Sequence, residues 1–239
     1  MSDYELHTLQ YSDVAEEIAK LHILFEKCNI CKGDKIALCS RNMSRWGVVF
    51  LATLTYGAVA VPILHEFHPE QIHHIINHSE SKLLFVGDLV WKKLSADEMP
   101  ELKGIMQIND LSLLHSRSKD FKETAENLNK CFGEKYPSSF GKANIKYHED
   151  SPEELAIINY TSGTTSNSKG VMIPYRAIVG NIMCADELIG EHVKPGDKLL
   201  SMLPLAHTLG MSFEFIYEFV SGIHVHFLTK VPTPSILLK

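Results

Sequence analysis

One loop in the chain has residue types that suit the binding of a negatively charged, oxygen-rich group. It runs from Thr161 to Gly170 with the order Thr-Ser-Gly-Thr-Thr-Ser-Asn-Ser-Lys-Gly, which gives six hydroxyls, two glycines, one lysine and no acidic side chain. Such a loop presents backbone N–H groups, hydroxyl donors and an ammonium, and a phosphate chain fits that set of donors. Composition alone leaves a flexible surface turn as an equal alternative.

The loop does not match the P-loop of nucleotide triphosphatases. With Gly163 taken as the first glycine of that motif, Ser168 stands where the second glycine belongs. Gly170 then stands where the motif needs a Mg²⁺-binding hydroxyl. This count argues against a P-loop enzyme, which is the nearest rival class.

Short buried strands that alternate with helices must position the loop. Apolar runs predict strands at 36–39, 58–61, 83–86, 105–108, 155–159, 199–203 and 223–228. Helical periodicity predicts helices from Asp13, with Glu16 as its capping-box partner, and over 44–56, 69–77, 119–131, 175–189 and between 207 and 220. The loop would therefore lie between a strand and a helix. This alternation is typical of the α/β class, with mostly parallel sheets and flanking helices.

A faint internal repeat divides the chain. Residues 32–36 read Lys-Gly-Asp-Lys-Ile, and residues 195–199 read Pro-Gly-Asp-Lys-Leu. Each turn precedes a predicted strand, an apolar helix, a glycine (Gly57 or Gly222) and a second strand. The pattern predicts two related α/β subdomains, over 1–150 and 151–239, although Gly-Asp-Lys is also simply a good turn sequence.

Composition excludes several other classes. The chain has 239 residues, 45% hydrophobic and 22% charged, with a net charge of −6, so it is neither disordered nor suited to nucleic acid. Its five cysteines, an odd number at low density, predict reduced thiols in a cytoplasmic protein. Residues 46–64 carry no charge, but Gly57 and Pro62 interrupt them, so a buried helix and strand are expected rather than a membrane span. Peripheral contact with a membrane is left open.

Histidines and a CxxC pair of cysteines are possible metal ligands, but their spacing does not favour a metal site. His65-Glu66-Phe67-His68 is one residue too short for the zinc motif HExxH, and no carboxylate completes a set with the nearby His73, His74 and His78. Cys28 and Cys31 have the CxxC spacing but follow a helical pattern and lack a second pair. No metal site is predicted.

The order of residues in the loop resembles the signature loop of adenylate-forming enzymes, which include acyl-CoA synthetases, adenylation domains of peptide synthetases and firefly-type luciferases. The resemblance rests on the run from Leu155 to Thr165 followed by Lys169-Gly170-Val171. Residues 56–62, Tyr-Gly-Ala-Val-Ala-Val-Pro, resemble the family's Gly-Ala-x-x-x-Pro segment. Residues 203–207, Leu-Pro-Leu-Ala-His, resemble the Pro-Leu-x-His segment in the form common in long-chain fatty acyl-CoA synthetases.

The resemblance implies a two-step reaction. A carboxylate attacks the α-phosphorus of MgATP to give an acyl-adenylate and pyrophosphate, and the thiolate of coenzyme A then displaces AMP. His207 would lie near the acyl carboxylate or at the mouth of the acyl tunnel. The β- and γ-phosphates of ATP would be held by Thr161, Ser162, Gly163, Thr164, Thr165 and Lys169. The substrates would be ATP, with Mg²⁺, a long-chain fatty acid and coenzyme A.

Two departures from the family pattern lie in the same loop. The family usually has glycine where this chain has Ser166 and proline where it has Ser168. Loss of the glycine restricts backbone movement, whereas loss of the proline loosens the loop, so the departures bear on catalytic rate rather than on phosphate binding. A ligase for a different acid, or a non-catalytic nucleotide- or acyl-binding module, are the alternatives to a fatty acyl-CoA synthetase.

The length of the chain, set against the resemblance, predicts a fragment. Family members are much longer, and their adenine, ribose, hinge and C-terminal lysine segments have no counterpart after residue 170. The expected fragment carries the phosphate loop, lacks the C-terminal domain and does not complete catalysis alone. It would leave a sheet edge and apolar surface uncovered, which predicts self-association.

Overall fold

The computed structural model describes residues 8–161 and 169–228. The strands are β1 (Lys35–Cys39), β2 (Val59–Pro62), β3 (Leu83–Val86), β4 (Gly104–Gln107), β5 (Leu113–Ser116), β6 (Leu155–Thr161), β7 (Lys169–Pro174), β8 (Lys198–Ser201) and β9 (His224–Phe227). The helices are α1 (Tyr11–Lys27), α2 (Ser44–Tyr56), α3 (Pro69–His78), α4 (Asp88–Trp91), α5 (Lys119–Glu126), α6 (Leu128–Lys135), α7 (Tyr175–Ile189), α8 (Thr208–Met211) and α9 (Tyr217–Val220).

The larger sheet contains seven strands in the order β5-β4-β3-β1-β2-β6-β7. Its five inner strands are parallel to their neighbours, and the two edge strands β5 and β7 are antiparallel. Strands β8 and β9 form a separate parallel pair. Parallel strands require crossover connections, and helices supply them here. The predicted α/β class with a mostly parallel sheet is confirmed.

Alternate residues of β1 face two apolar layers, one on each side of the sheet. Ile36 and Leu38 pack with buried residues of α1 and α2, whereas Ala37 and Cys39 pack with those of α3. The first layer is dominated by the fully buried rings of Phe25, Trp46, Phe50 and Phe85. Because helices cover both faces, ligands have access mainly at the strand ends, where the loops gather.

Most predicted elements are present, with several differences in detail. Helix α1 begins at Tyr11, and Asp13 caps it by accepting the N–H of Gln10 at 2.9 Å, so the expected pairing of Asp13 with Glu16 is wrong. The polar helix expected over 119–131 is instead two helices, α5 and α6, which meet at Asn127. Strands β5 and β7 were not predicted. Both are antiparallel edge strands with weak apolar patterns, so their pairing reflects the neighbouring strand rather than local sequence.

The uncharged stretch from residue 46 to 64 folds as expected. It forms helix α2, a turn at Gly57 in the left-handed region (φ 85°) and the buried strand β2. Within residues 8–161 and 169–228, no helix has both the length and the apolar character needed to cross a membrane.

The two copies of the sequence repeat form the same backbone structure. In the first copy the N–H of Gly33 donates to the carbonyl of Gly57 at 2.8 Å, and in the second the N–H of Gly196 donates to the carbonyl of Gly222 at 2.8 Å. All four glycines have positive φ angles between 78° and 93°. Each turn leads into the first strand of a parallel pair, β1–β2 or β8–β9. The division into subdomains at residue 150 stays a prediction, and β6 and β7 continue the sheet begun by the earlier strands.

Candidate active site

The hydroxyl-rich loop connects two antiparallel strands rather than a strand and a helix, which corrects the predicted arrangement. Strand β6 ends at Thr161, β7 begins at Lys169, and these two residues are register partners. The short run Val171-Met172-Ile173 is extended and pairs with β6 before α7 begins. The connection is therefore that of a β-hairpin, and the N-terminus of α7 is separated from it by a strand.

The hairpin presents two of the predicted phosphate ligands side by side. Thr161 and Lys169 are both exposed, at the end of the two paired strands. A hydroxyl and an ammonium are thus available to one anion. The other predicted ligands, Ser162, Gly163, Thr164 and Thr165, lie outside the described residues, as do Ser166 and Ser168.

Two buried polar side chains anchor strand β6 on opposite faces of the sheet. Asn159 is on the same face of the strand as Ile157, which packs in the layer of α1 and α2, and its Nδ2 donates to the carbonyl of Ala206 at 2.9 Å. Tyr160 packs on the face of α3, where its hydroxyl is 2.7 Å from Nδ1 of His78. Burial raises the pKa of Tyr160, so the phenol stays neutral. Both anchors lie within two residues of Thr161.

His207 lies at the start of the helix that follows the Pro-Leu-Ala-His segment. It is the N-cap of α8, and its Nδ1 accepts the N–H of Leu209 at 3.2 Å. Its own N–H donates to the carbonyl of Pro204 at 2.9 Å, which closes a turn. Because Nδ1 is an acceptor, the neutral ring carries its proton on Nε2. The exposed imidazole can therefore donate to an anion without losing its cap.

The hydrogen bond from Asn159 to Ala206 joins the strand before the hydroxyl-rich loop to the Pro-Leu-Ala-His segment. Ala206 directly precedes His207, and Asn159 is two residues before Thr161. The end of the hairpin strand and the Pro-Leu-Ala-His segment are therefore neighbours in the fold. Sequence reasoning missed Asn159, although an amide inside an otherwise apolar strand was a visible signal.

The helical segment after His207 is continuous but changes its pitch. It was expected to be a single helix to Val220, and it consists of α8, a π-helical turn over Ser212–Ile216, and α9. A π turn inserts one extra residue into a helix and is frequent at functional sites. Glu214 lies in this turn.

The remaining candidates from the sequence do not assemble into a site. Nδ1 of His78 is bonded to Tyr160, and Nε2 of His73 accepts the N–H of Ser95 at 3.2 Å. In the part of the chain that the structure describes, no three His, Cys, Asp or Glu residues are grouped to hold a metal ion. Burial raises the pKa of Cys28 to about 12, which keeps this thiol protonated, and Cys31 is exposed.

We expect Tyr160→Phe to destabilise the chain by about 0.5–1.5 kcal/mol, because it removes the hydrogen bond to His78 and keeps the buried ring. Urea unfolding followed by circular dichroism measures the change. Tyr147→Phe is the control, since the Tyr147 ring is 43% exposed, and it should unfold like the wild type. Equal midpoints for both variants would show that the link to α3 does not stabilise the hairpin.

Comparison with known proteins agrees with the fold. The family model for AMP-binding enzymes matches residues 2–239. Human long-chain-fatty-acid–CoA ligase 1 is 29% identical over 87% of this chain, and luciferin 4-monooxygenase of Photuris pensylvanica is 24% identical over 90% of it. Among solved structures, ATP-bound MatB from Rhodopseudomonas palustris superimposes with a TM-score of 0.74 over 97% of this chain at 18% identity.

The fold is therefore that of an α/β protein with a mostly parallel sheet, as in the solved structure of MatB. The chain belongs to the AMP-binding enzyme family. It spans 31% of the length of the human ligase, 38% of the luciferin enzyme and 42% of MatB, so it corresponds to part of these proteins.

Proposed function

We propose that the β6–β7 hairpin binds the β- and γ-phosphates of MgATP in an enzyme that activates a carboxylic acid as its acyl-adenylate and transfers the acyl group to coenzyme A. The observation that carries this proposal is the pairing of Thr161 with Lys169 beside the segment that ends in His207. Family membership supports it, and so does the similarity of the fold to MatB, which has been solved with ATP bound.

The physical role of the hairpin follows from the charge that develops during adenylation. When the carboxylate oxygen attacks the α-phosphorus, the bond to the β-phosphate bridging oxygen breaks, and pyrophosphate leaves with added negative charge. Donors preset at that charge lower the barrier. Lys169 supplies a point charge and Thr161 a neutral donor. The loop residues Ser162, Gly163, Thr164 and Thr165 would complete the cradle, and Mg²⁺ would enter as part of the MgATP substrate.

His207 is proposed to face the reacting carboxylate from the other side of the site. Its cap on Leu209 holds the ring while Nε2 stays available as a donor. A long-chain fatty acid is the proposed substrate, since the Pro-Leu-Ala-His form resembles long-chain synthetases and the human ligase is a relative. Because luciferin 4-monooxygenase is also a relative, a carboxylic acid of a different class is the alternative substrate.

The test combines MgATP binding with exchange of labelled pyrophosphate into ATP. We expect the 239-residue chain to bind MgATP by calorimetry, and the whole natural protein to catalyse exchange only when a fatty acid is added. If pyrophosphate exchange occurs with a short or aromatic acid but not with palmitate, the substrate is an acid of that class and not a long-chain fatty acid. Retained MgATP binding with no acid-dependent exchange in the whole protein would identify a non-catalytic binding module instead.

We also propose that the chain self-associates through its second half. Strand β7 is an edge strand, and edge strands present unpaired backbone groups to other chains. Large exposed apolar side chains cluster in the same part of the chain, among them Val171, Met172, Val179, Met183, Leu188, Leu200 and Val220. Sedimentation velocity should show species larger than the monomer as concentration rises. A clean monomer at high concentration would contradict this expectation.

A further inference from the structure

The segment that leads from β8 to His207 is held by side chains rather than by a strand partner. Nδ2 of Asn42 donates to the carbonyl of Leu203 at 2.7 Å, and Oδ1 of the same amide accepts the N–H of Leu205 at 3.0 Å. Nδ2 of Asn159 donates to the carbonyl of Ala206 at 2.9 Å. Both asparagines are buried, and water does not compete for the bonds to Leu205 and Ala206, whereas Leu203 is exposed.

A third side chain holds the start of the same segment. Oε2 of Glu214 accepts the N–H of Met202 at 2.7 Å and the N–H of Leu203 at 2.8 Å. Hydrogen bonds to a carboxylate are roughly twice as strong as neutral ones. The π turn over Ser212–Ile216 carries this glutamate, and its extra residue sets the direction in which the side chain leaves the helix.

These three holding residues come from elements that are far apart in the sequence. Asn42 follows β1, Asn159 belongs to β6, and β2 lies between these strands in the sheet. The segment is therefore bonded to a residue that follows the carboxyl end of β1 and to one near the carboxyl end of β6. In open α/β sheets ligands bind at the carboxyl ends of the strands. The holding residues thus lie at the edge where the proposed reaction takes place.

Buried hydrogen bonds fix the position of the segment as well as stabilising it. A buried carbonyl that loses its donor carries the cost of desolvation without compensation. The segment consequently has a strong preference for the one position in which its backbone groups are bonded. Since a misplacement of about 1 Å can reduce catalysis about a hundredfold, such fixed positioning bears directly on the reaction.

We propose that Asn159 is a positioning residue that couples the phosphate hairpin to His207, with Asn42 and Glu214 holding the rest of the segment. The inference rests on the proposed function for the hairpin and deepens it. Asn159 touches neither reacting group. It joins the strand that ends at Thr161 to the residue before His207, so a ligand bound at Thr161 is linked to the imidazole through one buried hydrogen bond.

The experiment uses the whole 239-residue chain and two readouts. Amide hydrogen exchange reports how firmly Leu205 and His207 are held, and the His207 ring signal in proton NMR reports its response to MgATP. The variant is Asn159→Asp, which keeps the shape and replaces the amide donor by a carboxylate that cannot donate while it is ionised. The matched control is Asn77→Asp, because Nδ2 of Asn77 also donates to a backbone carbonyl, that of Glu98 at 2.8 Å, away from the site.

In the wild type we expect slow exchange at both amides and a MgATP-dependent shift of the His207 signal. In Asn159→Asp we expect exchange at Leu205 and His207 to quicken at least about tenfold, in line with the loss of a buried bond. MgATP affinity should stay within about threefold, because the hairpin ligands are retained, while the His207 response disappears. Asn77→Asp should match the wild type in all three measurements.

The outcomes separate this inference from the proposed function. A wild-type chain that does not bind MgATP would contradict the phosphate role of the hairpin. The amide hydrogen exchange rates of Leu205 and His207 would still show whether Asn159 holds the segment in place. Unchanged exchange and an unchanged MgATP response in Asn159→Asp would overturn the coupling. If Asn159→Asp does not fold, Asn159→Leu removes the donor without adding a charge, and the same expectations apply to it.

Discussion

Lys169→Ala is expected to weaken MgATP binding about 10- to 100-fold. A charge-assisted hydrogen bond is worth about 1.5–3 kcal/mol, and 1.4 kcal/mol corresponds to a factor of ten in affinity. Lys169 is exposed at the start of β7, so its removal should change the free energy of unfolding by less than about 0.5 kcal/mol. Calorimetric titration with MgATP, alongside urea unfolding, measures both quantities.

The matched control for this variant is Lys198→Ala. Lys198 is likewise an exposed lysine at the first position of a strand, β8. Its loss should leave MgATP affinity unchanged beyond a small general effect of net charge, which salt screens. Thr165→Ala should also weaken binding, by about 2- to 10-fold, as expected for one neutral donor. Unchanged affinity in both Lys169→Ala and Thr165→Ala would remove the phosphate role from the hairpin.

Gly210→Ala is expected to displace the turn that presents His207. A Cβ at this position would lie 2.5 Å from the carbonyl oxygen of Pro204 and 3.1 Å from that of Leu203. Both obstacles include backbone, so the segment must move rather than a flexible side chain. Such overpacking costs about 1–3 kcal/mol. We expect a lower unfolding midpoint, faster exchange of the His207 amide and a loss of acid-dependent exchange activity in the whole protein.

Gly180→Ala is the control, and it is expected to stabilise the chain rather than destabilise it. Gly180 lies inside helix α7, and a Cβ there would meet nothing within 4 Å. Alanine stabilises a helix interior by about 0.5–1 kcal/mol relative to glycine, so this variant should unfold at a higher urea concentration. A Gly210→Ala variant that is stabilised to the same extent would show that the close approach to Pro204 is not a constraint.

Secondary structure was predictable wherever the apolar pattern was local and strong. Helices α2 and α7 and strand β3 have the predicted bounds, because their periodicity or apolar run is bounded by turn residues. Strand β7 was missed because three apolar residues, Val171 to Ile173, do not distinguish a strand from the start of a helix. Its extended form depends on pairing with β6.

The sequence shows the residues proposed to bind phosphate but not the residues that hold the neighbouring segment in place. The hydroxyls and lysine of the loop lie close together in the sequence, so their combined chemistry is visible there. Asn42 bonds to a residue 161 positions away, and Asn159 to one 47 positions away. Side chains that bond to distant backbone atoms leave no local pattern, because their partners are chosen by the packing of whole elements.

The sequence by itself determined the alternation of strands and helices, the repeated glycine turns and the hydroxyl-rich composition of the loop. These properties depend on residues near one another along the chain, where periodicity and turn chemistry act. Only the tertiary structure decided that the loop closes a hairpin, and that the segment before His207 is held by Asn42, Asn159 and Glu214. The bonds of Asn159 to Ala206 and of Asn42 to Leu205 come from burial, which requires enclosed carbonyl and N–H groups to find a partner wherever the fold places one. The hairpin comes from the pairing of β6 with β7, and the bonds of Glu214 lie at exposed positions.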